Sequence, residues 1–359
     1  MDINFKIKMN KQSGAKYTSL MNTIAAASLA TLGLIYIGGW TLSFSEVVSK
    51  ILLGDTIATD FIYLVLDCLA QFLSVLLPIQ LFHFMHSGAY NDDFMPVEKN
   101  ILSKRAIPYV FLLGLSATFI VAILSTTFVD TFIGDYSQND DYLWRTGMKY
   151  NYQIFIYLFG TAVIPAVVEE LFCRKAMCNA LLTYGPKTAI IVSSLVFALL
   201  HANFSKFIFT FVLGIFTGWL YVGTKSLKLP IIMHFINNLL GGFSIVLYYR
   251  VSPDAYASFV AVRFLICIPV AIVCLLCLIK HKNTVKNERI QQAILEGTYE
   301  EYLEYEKKYS KSLEMLPNEE GEEVIPLTAK EKTKGFFSPI MIIYLIICII
   351  LAITKIVNI

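Results

Sequence analysis

The chain has 359 residues, 56% hydrophobic and only 16% charged, where soluble domains carry about 25% charge. Apolar runs of about 20 residues recur along most of it, which excludes a soluble two-domain enzyme. A net charge of +2 with no basic tract and no Cys/His cluster gives no footprint for nucleic acid.

Taken in chain order, nine membrane spans are predicted, near 18–44, 57–86, 107–129, 153–173, 187–204, 207–223, 230–249, 257–279 and 337–357. The fold class is therefore all-α, a polytopic helical membrane bundle. The first span is long and lacks a convincing cleavage site, so it reads as retained. Lys and Arg favour cytoplasmic loops. Lys6, Lys8, Lys11 and Lys16 put the N-terminus inside, and Lys99, Lys104 and Arg105 put the second loop inside. Asp130, Asp135, Asp140 and Asp141 put the third loop outside. Lys225 and Lys228, then Lys280, Lys282, Lys286 and Arg289, mark later inside loops, so the C-terminus falls outside. Residues 280–335 form one long polar segment with 10 Lys/Arg and 12 Asp/Glu, read as a cytoplasmic helix plus linker. The seven cysteines, odd in number and scattered through apolar sequence, do not form a disulfide framework.

The fourth span carries P-A-V-V-E-E-L-F-C-R, from Pro165 to Arg174. Acids inside a membrane helix are costly and seldom idle. Glu170 and Arg174 stand four apart and share a helix face, so an ion pair is expected. Glu169 points about 100° away and is left for another partner. Pro165 removes a backbone donor one turn earlier. The plain alternative is that these charges cap a span at the membrane surface.

T-Y-G-P, from Thr183 to Pro186, ends one helix and starts the next. Glu169 lies 16 residues before Gly185 and His201 lies 16 after it, which brings both to one height in a hairpin. A carboxylate and an imidazole at one level are the minimum for general-base hydrolysis. In H-F-I-N-N, His234 and Asn238 share a face and can hold a carbonyl oxygen as it gains charge, although polar pairs also bridge membrane helices. One difficulty stands. Strict alternation of spans sets His201 far from His234, unless the hairpin extends past the bilayer or span six is short or tilted. Gly214 and Gly218 permit close packing of that span.

In order, the chain shows E-E-x-x-x-R at 169–174, F-x-x-x-H at 197–201 and H-x-x-x-N at 234–238. This set resembles the CAAX-protease and bacteriocin-processing family, also called Abi or CPBP intramembrane proteases. G-W-L-Y-V-G-T-K-S-L-K-L-P-I-I-M-H, from Gly218 to His234, resembles the family's approach to its last motif. The resemblance covers about 153–245. It implies peptide-bond hydrolysis within the membrane: Glu169 and His201 activate water, His234 and Asn238 stabilise the oxyanion, Glu170 and Arg174 orient the first pair, and Phe197 packs alongside. Together with the predicted spans, this divides the chain into N-terminal spans (1–152), a catalytic core (153–249), a further span (250–279), the polar segment (280–335) and a last span (336–359), of which the resemblance explains only the core.

A metal-free glutamate–histidine mechanism is the preferred expectation. Zinc on Glu169, His201 and His234 is the alternative, since zinc takes carboxylate and imidazole ligands. His83 and His86, three apart at the end of span two, read as interfacial histidines. The expected substrate is a membrane-anchored peptide or protein, prenylated or leader-bearing, in a prokaryotic cell membrane. Two other functions remain open: an ion or solute transporter with buried charges, against which the lack of an internal repeat weighs, and a catalytically idle scaffold.

Overall fold

The structure, a computed structural model of the whole chain, describes residues 3–54, 57–86, 102–132, 148–300, 303 and 327–357. The acidic loop residues Asp135, Asp140 and Asp141, the basic Lys99 and the run 318–323 lie outside the described residues.

All regular structure among the described residues is helical. In chain order α1 is Ile3–Leu53, α2 is Ile57–His86 and α3 is Ile107–Phe132. Helix α4 is Asn151–Tyr184. Then follow α5 Pro186–Leu200, α6 Phe204–Thr224, α7 Lys228–Arg250, α8 Pro253–Leu295, α9 Ala329–Phe336 and α10 Pro339–Val357.

Seven of these helices are long and apolar enough to cross a membrane, or eight if the bent α9–α10 pair, broken by 64°, counts as one span. The expectation of nine therefore comes down. Predicted span five is α5, only 15 residues long and shorter than the roughly 20 needed to cross. Its apolar sequence runs on to Phe204, but Ala202 turns left-handed with φ 42° and Asn203 caps α6 by accepting from the Lys206 amide. Helix α8 continues unbroken to Leu295, past the start of the polar segment at 280.

Helices α1 and α2 pair as a hairpin, and α10 lies along α1. Helices α3, α6 and α8 form a second group, in which the guanidinium of Arg263 sits 3.8 Å from the Phe119 ring centroid. Helix α4 runs between the groups and touches α2, α5 and α7. The α4–α5 turn needs Gly185, whose φ of 101° suits only a residue without a Cβ. Pro186 then opens α5 where a missing N–H costs nothing.

Helix α5 lies close on α6 at Gly214. A Cβ there would stand 2.9 Å from Ser194 Cβ, so only glycine admits this approach. Tyr17 packs edge-on against Tyr184, with ring centroids 4.7 Å apart, and Lys332 Nζ donates to Thr188 Oγ1 at 3.1 Å. The N-terminal helix, the α4–α5 turn and α9 thus meet at one end of the bundle. The end of α7 is tied down separately, by Arg250 bonding to the Met148 and Lys149 carbonyls.

Candidate active site

Helix α4 is wound unevenly. Two stretches, Phe159–Val163 and Leu171–Cys178, are π-helical and flank the regular turns that carry Pro165 and both glutamates. Pro165 has no N–H to give the carbonyl of Thr161 four residues earlier, and a widened turn absorbs that defect without breaking the helix. Asn238 Nδ2 donates to this same Thr161 carbonyl at 3.2 Å. An amide on α7 thereby repairs the backbone of α4 one turn before Pro165.

The charged residues form a chain. Arg174 Nε donates to Glu170 Oε2 at 2.9 Å, the expected i,i+4 pair, with both side chains fully buried. Arg174 Nη1 donates to Ser193 Oγ of α5 at 3.1 Å. The other oxygen of Glu170, Oε1, lies 3.0 Å from His234 Nδ1. An ionised carboxylate only accepts, so Nδ1 carries the hydrogen and Nε2 is turned the opposite way. That nitrogen lies 3.8 Å from Glu169 Oε2, longer than a hydrogen bond. Glu169 Oε2 has no hydrogen-bond partner in the protein, and its side chain is 24% exposed.

Glu169 borders a cavity of about 340 Å³, which His201, Phe197 and Lys206 also line. The volume lies within the range of small-ligand sites. Both imidazoles stand edge-on to Phe197, with ring centroids 5.2 Å away for His201 and 5.6 Å for His234. The Arg174 guanidinium lies 5.6 Å from the same ring. The difficulty raised by strict alternation is thus resolved: α5 is short, and Phe197 on its last turn bridges the two histidines.

Glu169, His201, Phe197 and His234 share one locality, with Glu170 and Arg174 directly behind. Asn238 is adjacent through Thr161, and its Oδ1 also accepts from Asn237 Nδ2 at 3.2 Å. His201 Nδ1 is 3.0 Å from the Phe197 carbonyl, which fixes its ring. Among the described residues no three His, Cys, Asp or Glu side chains come close enough to share a metal ion. Glu169, His201 and His234 do not form a zinc site in this arrangement, and no step below runs through a metal. His83 lies beside Phe82, with ring centroids 6.3 Å apart, and the His86 side chain is outside the described residues.

Ser193, Thr161 and Lys206 were missed by sequence reasoning. Only Ser193 left a trace, as half of a Ser-Ser pair in an apolar helix. The cavity walls on α1 and α2 left none that the family motifs could point to.

Residues 151–240 match the family described as Type II CAAX prenyl endopeptidase Rce1-like. Over 110 residues the chain is 33% identical to a curated protein of Staphylococcus aureus (strain USA300) named membrane-embedded CAAX protease MroQ. That match covers 29% of this chain and 43% of the relative, so less than half of the relative's length is represented. No solved structure matches. This matched segment, which carries all three motifs, is similar to the CAAX-protease (CPBP) family.

Proposed function

We propose that the protein is an intramembrane endopeptidase that hydrolyses a peptide bond in a membrane-associated substrate. The observation that carries this reading is Glu169, which borders the cavity while its Oε2 is buried and unbonded, 3.8 Å from an imidazole that Glu170 and Arg174 hold in one orientation. The relative's name, membrane-embedded CAAX protease, supports a substrate with a lipid-anchored C-terminal segment.

In the proposed reaction Glu169, with His201 beside it, takes a proton from water. The oxygen attacks the carbonyl carbon and the carbonyl oxygen becomes an oxyanion. His234 in its cationic form, with Nδ1–H held by Glu170 and a second hydrogen on Nε2, and the Asn238 hydrogen not given to Thr161, are the donors for that charge. The C–N bond then breaks and the proton from water passes to the leaving amine. Glu170 and Arg174 do not touch substrate; they fix His234. Phe197 keeps the two imidazoles apart and excludes water. A metal-free course is part of the proposal. So is the orientation, with the N-terminus and the α4–α5 turn on the cytoplasmic face of a prokaryotic membrane, as the loop charges favour.

The test is cleavage of a prenylated-cysteine peptide by purified protein, with membrane peptidomics of cells carrying wild type or Glu169→Gln. General-base removal costs about 10²–10⁴-fold in rate. Undiminished cleavage by both Glu169→Gln and His201→Ala would defeat the reading.

A further inference from the structure

Glu169, Phe197 and His201 of the family motifs line the cavity. A second part of its wall is built by α1 and α2, which lie outside the matched segment. Its polar side chains are Thr31, Gln71 and Ser74. Both hydroxyls give their hydrogen to their own helix: Thr31 Oγ1 to the Ala27 carbonyl at 3.0 Å, and Ser74 Oγ to the Gln71 carbonyl at 2.8 Å. What they present to the cavity is lone pairs.

Gln71 is arranged in the same sense. Its Nε2 donates to Asp67 Oδ2 at 2.8 Å. Asp67 lies in the apolar run I-Y-L-V-L-D-C-L-A-Q-F-L at 62–73, where an acid is rare without a task. A carboxylate accepts and does not donate, so it fixes which end of the Gln71 amide it holds. The nitrogen goes to Asp67, and the oxygen is the end left to present. The bond is charge-assisted and therefore strong.

We propose that Gln71, Ser74 and Thr31, with Asp67 setting the Gln71 amide, form an acceptor wall that binds backbone N–H groups of an extended peptide in the cavity that Glu169 borders. Gln71 is then a specificity-determining residue that the family motifs do not contain. The spacing suits this occupant. Residues three apart on a helix have Cβ atoms about 5–6 Å apart. Same-side N–H groups of an extended strand recur every two residues, about 6.8 Å. In an otherwise apolar cavity, a peptide N–H without an acceptor is costly. The wall thus selects a peptide held extended and rejects a coiled one, whose N–H groups are already used.

This inference rests on the peptidase reading, and binding is measured beside cleavage to separate the two. The probe is a fluorescent prenylated-cysteine heptapeptide in which one backbone N–H at a time, away from the scissile bond, is replaced by an ester oxygen. It is titrated onto the full chain in nanodiscs, as wild type, Glu169→Gln and Gln71→Leu. One neutral hydrogen bond corresponds to roughly a two- to tenfold change in affinity. The expected result is such a loss at one or two ester positions on wild type and Glu169→Gln. On Gln71→Leu the parent peptide binds that much more weakly and the ester at the matching position makes no further difference. Cleavage by Gln71→Leu should show raised KM with kcat within about twofold. Asp67→Leu should blunt the same discrimination, which covers the case of a poorly folded Gln71 variant. Ester and amide peptides binding alike at every position on wild type would overturn the wall while leaving the peptidase reading intact. The expected binding pattern with no cleavage by wild type would support the wall and overturn the peptidase.

Discussion

Gly214→Ala adds one methyl group where the structure leaves no room. Its Cβ would lie 2.9 Å from Ser194 Cβ and 3.0 Å from Ser194 Cα. Carbon atoms rest at about 3.5–4.0 Å, so α5 and α6 must part by about 0.6–1 Å. The near atoms include backbone, which cannot rotate aside. Overpacking of this kind costs about 1–3 kcal/mol, offset by about 1 kcal/mol from alanine's better helix propensity. A net loss of about 1–2 kcal/mol is expected. The effect on the site should be larger. Ser193, next to Ser194, holds Arg174 Nη1 at 3.1 Å, and Phe197 lies one turn further along α5. A displacement near 1 Å around a reacting centre costs up to about 100-fold in rate. Gly218→Ala, whose Cβ meets only the Ile190 side chain at 3.2 Å and its Cα at 3.7 Å, should be milder. Gly241→Ala meets nothing within 4 Å and should be neutral or slightly stabilising. Thermal unfolding of the purified chain in detergent, paired with peptide cleavage, gives the series. If Gly214→Ala matches Gly241→Ala in both stability and rate, the packing argument is wrong.

Arg174→Met leaves the fully buried Glu170 short of its cation and should destabilise by about 3–5 kcal/mol in an SDS unfolding titration, whereas Glu170→Gln/Arg174→Met together should recover part of that loss; strictly additive losses would contradict the pairing. Asn238→Ala should cost about 1–3 kcal/mol by stranding the Thr161 carbonyl, and much less in a Pro165→Ala background that restores the backbone donor; an equal cost in both backgrounds would show that Asn238 does not repair the proline defect. Purified active protein should carry substoichiometric zinc and keep its rate in a chelator. One zinc per chain with activity lost on its removal would replace the metal-free course.

Sequence alone exposed what depends on local spacing. Apolar runs located the long helices, and four-residue spacing gave the Glu170–Arg174 pair. The count of spans failed at α5 because hydropathy reads through His201–Asn203, whereas the chain turns there by a left-handed residue and a cap. The caps are legible; their precedence over an unbroken apolar pattern is not. Phe197 was placed by family likeness, but its position between two imidazoles depends on how α5 lies on α6, which the serine and glycine contacts fix. His234 was expected with Asn238 around an oxyanion. Its bond to Glu170 joins residues 64 apart in the chain, and no periodicity reports such a pairing. The acceptor wall on α2 was hidden for the same reason, since the glutamate that shares its cavity is on α4.

Two adjacent acids of the same chemistry end in opposite circumstances, and this asymmetry argues for a working site over a capped helix end. Successive residues on a helix point about 100° apart. Glu170 turns inward, where Arg174 and His234 take its two oxygens and its side chain is fully buried. Glu169 borders the cavity, with Oε2 unbonded. If both merely capped α4, both would be solvated or both paired. The two should therefore separate in experiment. Glu169→Gln removes a proton acceptor that holds nothing together, so unfolding should shift little while cleavage falls by about 10²-fold or more. Glu170→Gln sets an amide N–H against either the Arg174 donor or the His234 N–H, because an amide has one accepting oxygen where the carboxylate had two. It should lose stability and activity together, by about 1–3 kcal/mol in stability for a buried donor left unmet. A Glu169→Gln protein as unstable as Glu170→Gln, or a Glu170→Gln protein that folds like wild type, would mean that the two acids do not divide the work in this way.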